Sequence, residues 1–574
     1  MEFNSVPVTT WKIIMKFSLL NIFKKSIRKI KIARSIEKKG FVIFQIDGLS
    51  YAALKKALSL NLMPHLKKMI NSGDYLLDDY FTGVPSDTPF FQAGLLYGNN
   101  DDIPGFRWIE RETGEEIIFK KPESAGRIEE RLAGMSPGLL KGGSSYVNLF
   151  SGGASRSTFT LSTFSIRYLF KKKVRNFDIF IVFVFHIFTF LKTFFYVFFE
   201  AILEILEKMQ DIAKKREVRP EGFFPFARAM TNVIFKEIET FGAIMDISRG
   251  VPSIYSDYIG YDELSHHRGP YSYSALRTLK AIDRKIYHIN KAVLKSERKY
   301  DFFIISDHGH TPSVPFQKAN GGKMLKDAIS EYVSDPELKV YEFDTGYNAV
   351  FKRLFLYMGD FFTKGTCKKI YNRLIGGMKS VKEPESMLTF QWQNEKTIYI
   401  MDSGPMANIY FSGKPKRMVL EEIENKYSKL INMLANLKGI GFIAGINEKG
   451  EASIYDKEDQ KFYVLKYFIN NLAGKNFTIG RIIDSCKTKA ESETALSSLE
   501  RFTGFKNSGD LILFGEYDGK NIINFENQMG AHGGIGGEQN KPFAVWNKSL
   551  RFNFSDVNNS CKIHDFLYNE YIKQ

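Results

Sequence analysis

The chain has 574 residues, 44% of them apolar and 14% aromatic, so it can bury a large core and is neither disordered nor a disulfide-stapled miniprotein. Its three cysteines, Cys367, Cys486 and Cys561, are far apart, which argues against a thiolate zinc site and against an oxidised framework. Lysine and arginine outnumber aspartate and glutamate by 80 to 64, and residues 1–40 carry half of the resulting net charge of +16. Because the rest of the chain is more nearly balanced, a nucleic-acid polymer is not expected as a partner.

Residues 1–39 are predicted to form a basic amphipathic segment. Apolar side chains such as Trp11, Ile14 and Phe17 are interspersed there with cations, and no small-residue cleavage site follows, so the segment does not resemble a secretory signal. A helix of this kind either lies on an anionic membrane surface or packs against the protein's own body.

Short apolar runs alternate with helical patterns, which predicts an α/β fold with a mostly parallel central sheet flanked by helices. The predicted buried strands lie at 41–47, 251–261 and 300–307. Helical patterns cover residues 51–73, which Pro64 breaks or restarts, and 271–297, and a turn leads into a further helix within 84–98. Since ligands of such sheets gather at the carboxyl ends of the strands, polar residues that follow a strand are candidates for a site.

A hydrophobic helical insert is predicted at residues 155–235. Its stretch 177–203 is Phe-rich and long enough to span a bilayer, but it contains Lys192, which is costly at the bilayer midplane. Cations flank both ends of this stretch, so both ends prefer the cytoplasmic side. A hairpin, an interfacial helix or a buried lid satisfies this pattern, whereas a single crossing does not.

A second insert is predicted at residues 321–505 and has the features of a cap. The two inserts divide the predicted catalytic core into three parts. These parts are residues 40–154, 236–320 and 506–574.

Five short clusters carry side chains that suit metal binding. They are Asp47, residues 85–89 (PSDTP), 262–270 (DELSHHRGP), 306–310 (SDHGH) and 530–534 (GAHGG). Only nine histidines occur in the chain, and five lie in these stretches; mixtures of imidazole and carboxylate suit zinc, manganese or iron. Each cluster alone is a weak signal, because an aspartate after a strand commonly caps a helix and a DxxxH spacing also occurs on solvated helix faces.

In their order along the chain, these clusters resemble the alkaline phosphatase superfamily. The closest resemblance is to its type I phosphodiesterase/nucleotide pyrophosphatase branch, and within it to a membrane-associated prokaryotic group. The family pattern is an Asp after the first strand, a Thr or Ser nucleophile, D-x-x-x-H-x-x-G-P, S-D-H-G and a late H-G. The matching residues are Asp47, Thr88, Asp262, His266, Asp307, His308 and His532.

The resemblance implies an alkaline-phosphatase-like core and the activity of a phosphodiesterase or phosphatase. Such an enzyme would use two divalent metal ions, for which Zn²⁺ is expected and Mn²⁺ is the alternative. One ion would be held by Asp262, His266 and His532. The other would be held by Asp47, Asp307 and His308, with Thr88 beside it as the nucleophile. A threonine hydroxyl needs such activation, because it is a weak nucleophile at neutral pH.

Substrate contacts are less well defined by the sequence. The resemblance leads us to expect a phosphate-binding Asn at the position of Phe91, so nucleotide specificity is not implied. The candidate substrate-binding positions are therefore Phe91 itself, Gln92 and His310. Ser86 is a second candidate nucleophile.

The predicted ligands lie on both sides of the first insert, so the chain must leave and re-enter one compartment. The flanking cations and the lack of an export signal predict a membrane-associated protein whose active site is on the cytoplasmic side. The expected substrate is a phosphoester that is lipid-linked or close to a membrane. Two alternatives remain, namely a phosphotransferase of the same superfamily and a non-catalytic, membrane-bound scaffold.

Overall fold

Two seven-stranded sheets organise the chain in the computed structural model. The structure describes residues 38–163, 187–213, 228, 230–333, 337–342, 396–413, 415–457, 460–468, 478–484, 486 and 488–573. Nearly all of the predicted basic segment 1–39, and residues 177–186 of the apolar stretch, lie outside the described residues.

The strands and helices follow one another in an alternating pattern through most of the chain. The strands are β1 (Gly40–Ile46), β2 (Tyr75–Asp79), β3 (Arg107–Glu110), β4 (Glu115–Ile118), β5 (Ser144–Tyr146), β6 (Arg156–Thr158), β7 (Ser253–Tyr258), β8 (Tyr300–Ile305), β9 (Thr311–Pro315), β10 (Lys339–Glu342), β11 (Thr397–Ser403), β12 (Met406–Phe411), β13 (Ile440–Ile446), β14 (Ala452–Asp456), β15 (Lys461–Val464), β16 (Leu511–Gly515), β17 (Ile522–Asn524), β18 (Gly530–Ala531) and β19 (Phe543–Asn547). The α-helices are α1 (Tyr51–Ser59), α2 (Pro64–Asn71), α3 (Thr88–Tyr97), α4 (Pro122–Met135), α5 (Ile187–Ala213), α6 (Lys236–Ser248), α7 (Gly260–Arg268), α8 (Tyr273–Lys295), α9 (Phe316–Ala319), α10 (Leu325–Val333), α11 (Leu420–Lys426), α12 (Leu430–Asn436), α13 (Leu465–Phe468), α14 (Thr478–Asp484), α15 (Lys489–Thr503) and α16 (Cys561–Leu567).

The first sheet is the predicted, largely parallel one. Its strand order is β2-β19-β8-β1-β7-β5-β6, and β1 pairs in parallel with both β7 and β8. Only β19 runs against its neighbours β8 and β2. Every residue of β1 is buried, as expected for a strand covered by helices on both faces. The carboxyl ends of β8, β1 and β7 therefore lie side by side at one edge of the sheet.

The two faces of this sheet are packed against different groups of helices. Phe41 and Ile43 of β1 belong to the apolar cluster that includes buried residues of α3 and α4. Val42 and Phe44 point to the opposite face, into the cluster formed with α1, α2, α6, α7 and α8. Burying side chains of this size contributes about 1.5–3 kcal/mol each, so the alternating pattern of β1 fixes its register.

Local signals in the sequence set the ends of the helices that bear on the site. The Ser50 side chain caps α1 by accepting from the Ala53 N–H at 3.1 Å, and Asp87 caps α3 in the same way. Pro64 is the first residue of α2, so the helical pattern at 51–73 is two helices, as its proline indicated.

The second sheet is built mainly from the region predicted to be a cap. Its order is β10-β11-β12-β16-β13-β14-β15, and only β10 and β11 pair in parallel. Strand β16 falls in the segment 506–574 that the sequence division assigned to the core, yet it pairs with β12 and β13. The cap region and the last part of the chain thus share one sheet, and the division into domains stays a prediction.

The described part of the apolar stretch is helical. Residues 187–203 form the first part of α5, which continues to Ala213. Within the residues that the structure covers, no helix is both long enough and apolar enough to cross a membrane.

Candidate functional site

Three adjacent parallel strands bring five of the predicted ligands to one edge of the sheet. Asp47 directly follows β1, and Asp307 and His308 follow β8. Asp262 and His266 lie on α7, which begins two residues after β7 ends, and their i, i+4 spacing puts them on one face of the helix. The parallel pairing of β8, β1 and β7 thus brings together residues that are far apart in the sequence.

The first ligand group consists of Asp262, His266, His310 and His532. One ligand atom from each lies within 4.8 Å of the others. Asp262 Oδ1 lies 3.3 Å from His310 Nε2, and Asp262 Oδ2 lies 3.5 Å from His266 Nε2. His532 Nε2 is 3.0 Å from His266 Nε2. Three of these residues were predicted as one set. His310 was assigned to the substrate, and the structure places it among the candidate metal ligands instead.

The second ligand group consists of Asp47, Asp307 and His308, again with ligand atoms within 4.8 Å of one another. His308 Nε2 is 3.5 Å from Asp47 Oδ1 and 3.2 Å from Asp307 Oδ2. The hydroxyl of Thr88 lies 3.2 Å from the same nitrogen. The rings of His308 and His532 stack with centroids 3.7 Å apart, so the two groups adjoin beside Thr88.

All four histidines are oriented by their backbone contacts. The Nδ1 atoms face carbonyl oxygens: His266 with Gly530 at 3.0 Å, His308 with Gly309 at 3.0 Å, His310 with Gly48 at 2.9 Å and His532 with Ser86 at 3.2 Å. Because a carbonyl oxygen only accepts, Nδ1 must carry the proton in each case. The lone pair on Nε2 is then directed into the site, which is the arrangement of a metal-binding histidine.

Several ligand atoms of the site are buried and make no hydrogen bond within the described part of the protein. Among the described residues, none hydrogen-bonds to Asp47 Oδ1, Asp262 Oδ1, Asp307 Oδ2 or His310 Nε2. An unsatisfied buried polar group costs about 1–3 kcal/mol, and more if it is charged. Divalent cations would satisfy all four atoms, so the residues present fit two metal ions.

The pKa shifts in the site also favour the binding of cations. Burial raises the pKa of Asp47 well above its usual value, and the charge of Asp307 raises it further. Burial likewise raises the pKa of Asp262. Burial lowers the pKa of His266 to about 3 and that of His532 well below its usual value. The imidazoles are therefore neutral, as metal binding requires. A cation beside the buried carboxyl groups would stabilise their charged forms.

Thr88 is the first residue of α3, at the helix end where backbone N–H groups have no helical acceptor. The preceding Asp87 caps this helix by accepting from Phe90 N–H at 3.0 Å, and burial raises its pKa to about 7. The Thr88 side chain therefore combines a fixed backbone position with direct access to the second ligand group.

The other candidate positions near Thr88 have contacts within the protein. Every residue of α3 is buried, so Phe91 lies in the apolar core and Gln92 is held by Asp257, to which its Nε2 donates at 3.0 Å. Ser86 Oγ donates to Gly534 O at 2.9 Å and accepts from Gly533 N–H at 3.2 Å. Ser86 thus joins the loop before α3 to the His532 loop, and its role as a second nucleophile stays a prediction.

Lys120 is a candidate residue that the sequence did not reveal. It is exposed in the loop between β4 and α4, and its charge acts on both Asp262 and His266. The adjacent Phe119 donates through its backbone to Phe106 O at 3.0 Å, and the Phe106 ring lies edge-on to that of His532, 5.9 Å away. Lysines adjoin aromatic residues throughout this chain, so no local signal distinguishes this one.

Comparison with solved structures finds proteins that are similar over nearly the whole chain at low identity. Phosphonoacetate hydrolase from Sinorhizobium meliloti 1021 is 11% identical, with 93% of this chain and 95% of that chain covered and a TM-score of 0.42. Human ectonucleotide pyrophosphatase/phosphodiesterase 5 is 11% identical, with coverage of 92% and 94% and a TM-score of 0.44. A mutant of alkaline phosphatase PafA is 10% identical, with coverage of 94% and 96% and a TM-score of 0.44.

Comparison with protein-family models and with curated proteins finds no match. Seven candidate ligand side chains, in two groups, converge beside Thr88. The chain has an α/β fold with a largely parallel central sheet. In their order along the chain, its ligand motifs resemble those of the nucleotide pyrophosphatase/phosphodiesterase branch of the alkaline phosphatase superfamily.

Proposed function

We propose that the protein is a metal-dependent phosphoester hydrolase with Thr88 as its nucleophile. The observation that carries this proposal is the convergence of two ligand groups, from four separate stretches of chain, around one buried threonine. Neutral imidazoles combined with carboxylates favour Zn²⁺, with Mn²⁺ as the alternative. The group of Asp262, His266, His310 and His532 would hold one ion, and Asp47, Asp307 and His308 would hold the other.

When bound, the two cations would supply the positive charge that activates the hydroxyl and neutralises the phosphoryl oxygens. Thr88 Oγ1 attacks phosphorus, forming a new P–O bond while the bond to the leaving alcohol or phosphate breaks. The phosphoryl group is then carried by Thr88 until water hydrolyses it and restores the hydroxyl. The N-terminus of α3 orients Thr88 in both steps, and its backbone N–H groups favour a negatively charged group beside it.

The test uses purified protein with Zn²⁺ or Mn²⁺ and a panel of phosphate monoesters and diesters. Thr88→Ala should lower the turnover rate by at least about a thousandfold, since it removes the nucleophile. Thr88→Ser should retain part of the activity, because it keeps a hydroxyl at the same place. A Thr88→Ala variant within about tenfold of the wild-type rate would contradict the proposal.

The same preparation separates hydrolysis from its alternatives. If water is the acceptor, the released phosphate contains oxygen from ¹⁸O-labelled water in a single turnover, whereas a phosphotransferase passes the group to an added alcohol. A scaffold without activity would show no turnover even when metal analysis finds both ions bound.

We further propose that the substrate is lipid-linked or presented at a membrane surface. The support is the position of α5, which exposes large apolar side chains and contacts α7, the helix that carries Asp262 and His266. The cations that flank the apolar stretch in the sequence favour the cytoplasmic side for the active site. Activity on soluble nucleotides that equals or exceeds activity on phospholipid-like diesters would count against this substrate class.

A further inference from the structure

Helix α5 exposes a continuous apolar face along its second half. The residues of this face are Phe199, Ile202, Ile205, Leu206, Met209 and Ile212. Their exposed fractions run from 47% to 61%. They form two adjacent rows with a spacing of three residues, 199–202–205 and 206–209–212, and both rows lie on one side of the helix. Scattered exposed apolar side chains are normal, but a contiguous row of this kind marks a surface that binds another apolar surface.

The opposite face of α5 is fixed to the catalytic body by buried charges. Glu204 is fully buried and accepts from both Arg228 and Arg268, with His267 Nε2 at 3.7 Å. Glu207 accepts from Arg228 at 2.9 Å and lies 3.3 Å from Arg268 Nε. Arg268 and His267 directly follow the candidate metal ligand on α7, so α5 and the ligand-bearing helix are held together.

These two faces determine how α5 can meet a membrane. Glu204 and Glu207 lie in its C-terminal half and bind the protein body, so the helix cannot be surrounded by lipid. At 1.5 Å per residue its 27 residues are about 40 Å long, enough for an extended contact in the plane of an interface. An amphipathic helix held in this way binds with its apolar face in the boundary between head groups and acyl chains.

We infer that the apolar face of α5 docks the protein on the surface of an anionic lipid bilayer. Two cations are close to this face: Lys208 lies on α5, and the Arg277 guanidinium lies 6.0 Å from the Phe199 ring. In the sequence, Lys214, Lys215 and Arg216 follow the helix, and the whole chain carries a net charge of +16. Anionic head groups complement this charge, whereas a second copy of the chain would bring the same excess of positive charge to the contact.

The purpose of docking would be to bring the site to a lipid-linked or membrane-proximal substrate, and only this purpose rests on the proposed function. Docking itself is measured without turnover. The full-length protein is mixed with vesicles of phosphatidylcholine, with and without phosphatidylglycerol, and the bound fraction is determined by flotation. The test variant is Ile202→Ser/Ile205→Ser/Met209→Ser. The matched control is Leu60→Ser/Met135→Ser/Leu294→Ser, which changes aliphatic side chains of similar or greater exposure elsewhere.

The wild type and the control are expected to bind phosphatidylglycerol vesicles equally, within about twofold, and the α5 variant at least about tenfold more weakly. Equal binding of the α5 variant and the wild type would overturn the inference, as would a wild type that binds no vesicles. A wild-type oligomer that the α5 substitutions dissociate would also overturn it, because a second copy would then cover the face.

Hydrolysis of a water-soluble phosphodiester keeps the two proposals apart. The α5 variant should retain this activity, since none of its substitutions touches a ligand group. Vesicle binding that depends on α5, in a protein that hydrolyses no phosphoester with either metal, would support the docking surface and refute the proposed function.

Discussion

At the scale of single residues, the site shows how two neighbouring histidines take different partners. His308 and His310 are separated by one glycine in the segment between β8 and β9. An added Cβ at Gly309 would lie 2.1 Å from Glu538 O, so only a glycine fits between the two histidines. His308 joins Asp47 and Asp307, while His310 joins Asp262, His266 and His532. The SDHGH motif therefore contributes to both ligand groups. The sequence resemblance implied a metal-binding role for its first histidine, His308, but not for His310.

Lys120 leads to a prediction about substrate binding. An exposed cation near Asp262 and His266 can attract an anionic substrate in the ground state and in the transition state alike. Lys120→Gln should therefore raise KM by about 3- to 10-fold and leave kcat nearly unchanged.

The neighbouring lysine provides the control for this experiment. Lys121 is held 3.2 Å from Glu116, so Lys121→Gln removes the same charge from a side chain that is already paired. Steady-state kinetics on one substrate compares the two variants. Equal KM values for Lys120→Gln and Lys121→Gln would rule out a specific role for Lys120.

At the scale of elements, the turn between β1 and α1 determines the geometry of both ligand groups. Gly48 N–H donates to Asp307 Oδ1 at 3.2 Å, and Leu49 N–H donates to Ser306 Oγ at 3.0 Å. Gly48 O accepts from His310 at 2.9 Å. The turn that follows Asp47 thus orients a carboxylate of one group and an imidazole of the other.

Substitution of Gly48 tests this function of the turn. Gly48 has φ of +70°, and an added Cβ would lie 2.5 Å from His310 Cε1 and 2.7 Å from Asp262 Oδ1. Gly48→Ala should lower metal affinity and turnover by about 10- to 100-fold, because the ligands must shift. Metal titration followed by mass spectrometry of bound ions measures the first effect.

The matched control is Gly450→Ala in the loop before β14. Gly450 has φ of +76°, yet an added Cβ there would meet no atom within 4 Å. Both substitutions introduce a similar backbone strain of about 1–2 kcal/mol. A loss of metal affinity that occurs only in Gly48→Ala is therefore caused by the clash of the added Cβ with the ligands. Similar losses of metal in the two variants would show that strain alone is responsible.

At the scale of the whole molecule, folding buries several carboxyl groups close to one another. In the metal-free protein the raised pKa values of Asp47 and Asp262 favour their protonated forms. Their contribution to stability is present at low pH and is lost as pH rises through these raised values. His266 and His532 have lowered pKa values, so below pH of about 6.5 the unfolded chain binds protons that the folded chain does not.

Metal binding must displace the carboxyl protons, which gives a pH-dependent prediction. The difference in Tm between the metal-loaded and the chelator-treated protein should widen as the pH rises through the raised pKa values of Asp47 and Asp262. Asp47→Asn should raise the Tm of the chelator-treated protein at pH above these values, because it removes one buried carboxyl that the metal-free fold cannot satisfy. Thermal unfolding at constant ionic strength measures both. A difference that is constant with pH would contradict the predicted metal site.

The sequence by itself determined the elements whose signal is local. The continuous apolar run of β1 predicted a buried parallel strand, Pro64 marked the boundary between two helices, and the motifs identified Asp47, Thr88 and the SDHGH segment. Short strand β2 was not predicted, because its sequence YLLDD is half-exposed and its place at the sheet edge is set by pairing with β19.

Only the tertiary structure decided which side chains meet. Thr88 contacts His308 across 220 residues, and His266 contacts His532 across 266, so no local pattern can place them at these distances. Packing put Phe91 in the apolar core and Gln92 against Asp257. The pairing of β8 and β7 on either side of β1 brought His310 next to Asp262 and His266. Periodicity reports the interactions of a segment with its own neighbours along the chain, whereas a metal site depends on the relative positions of strand ends, which exist only once the sheet has formed.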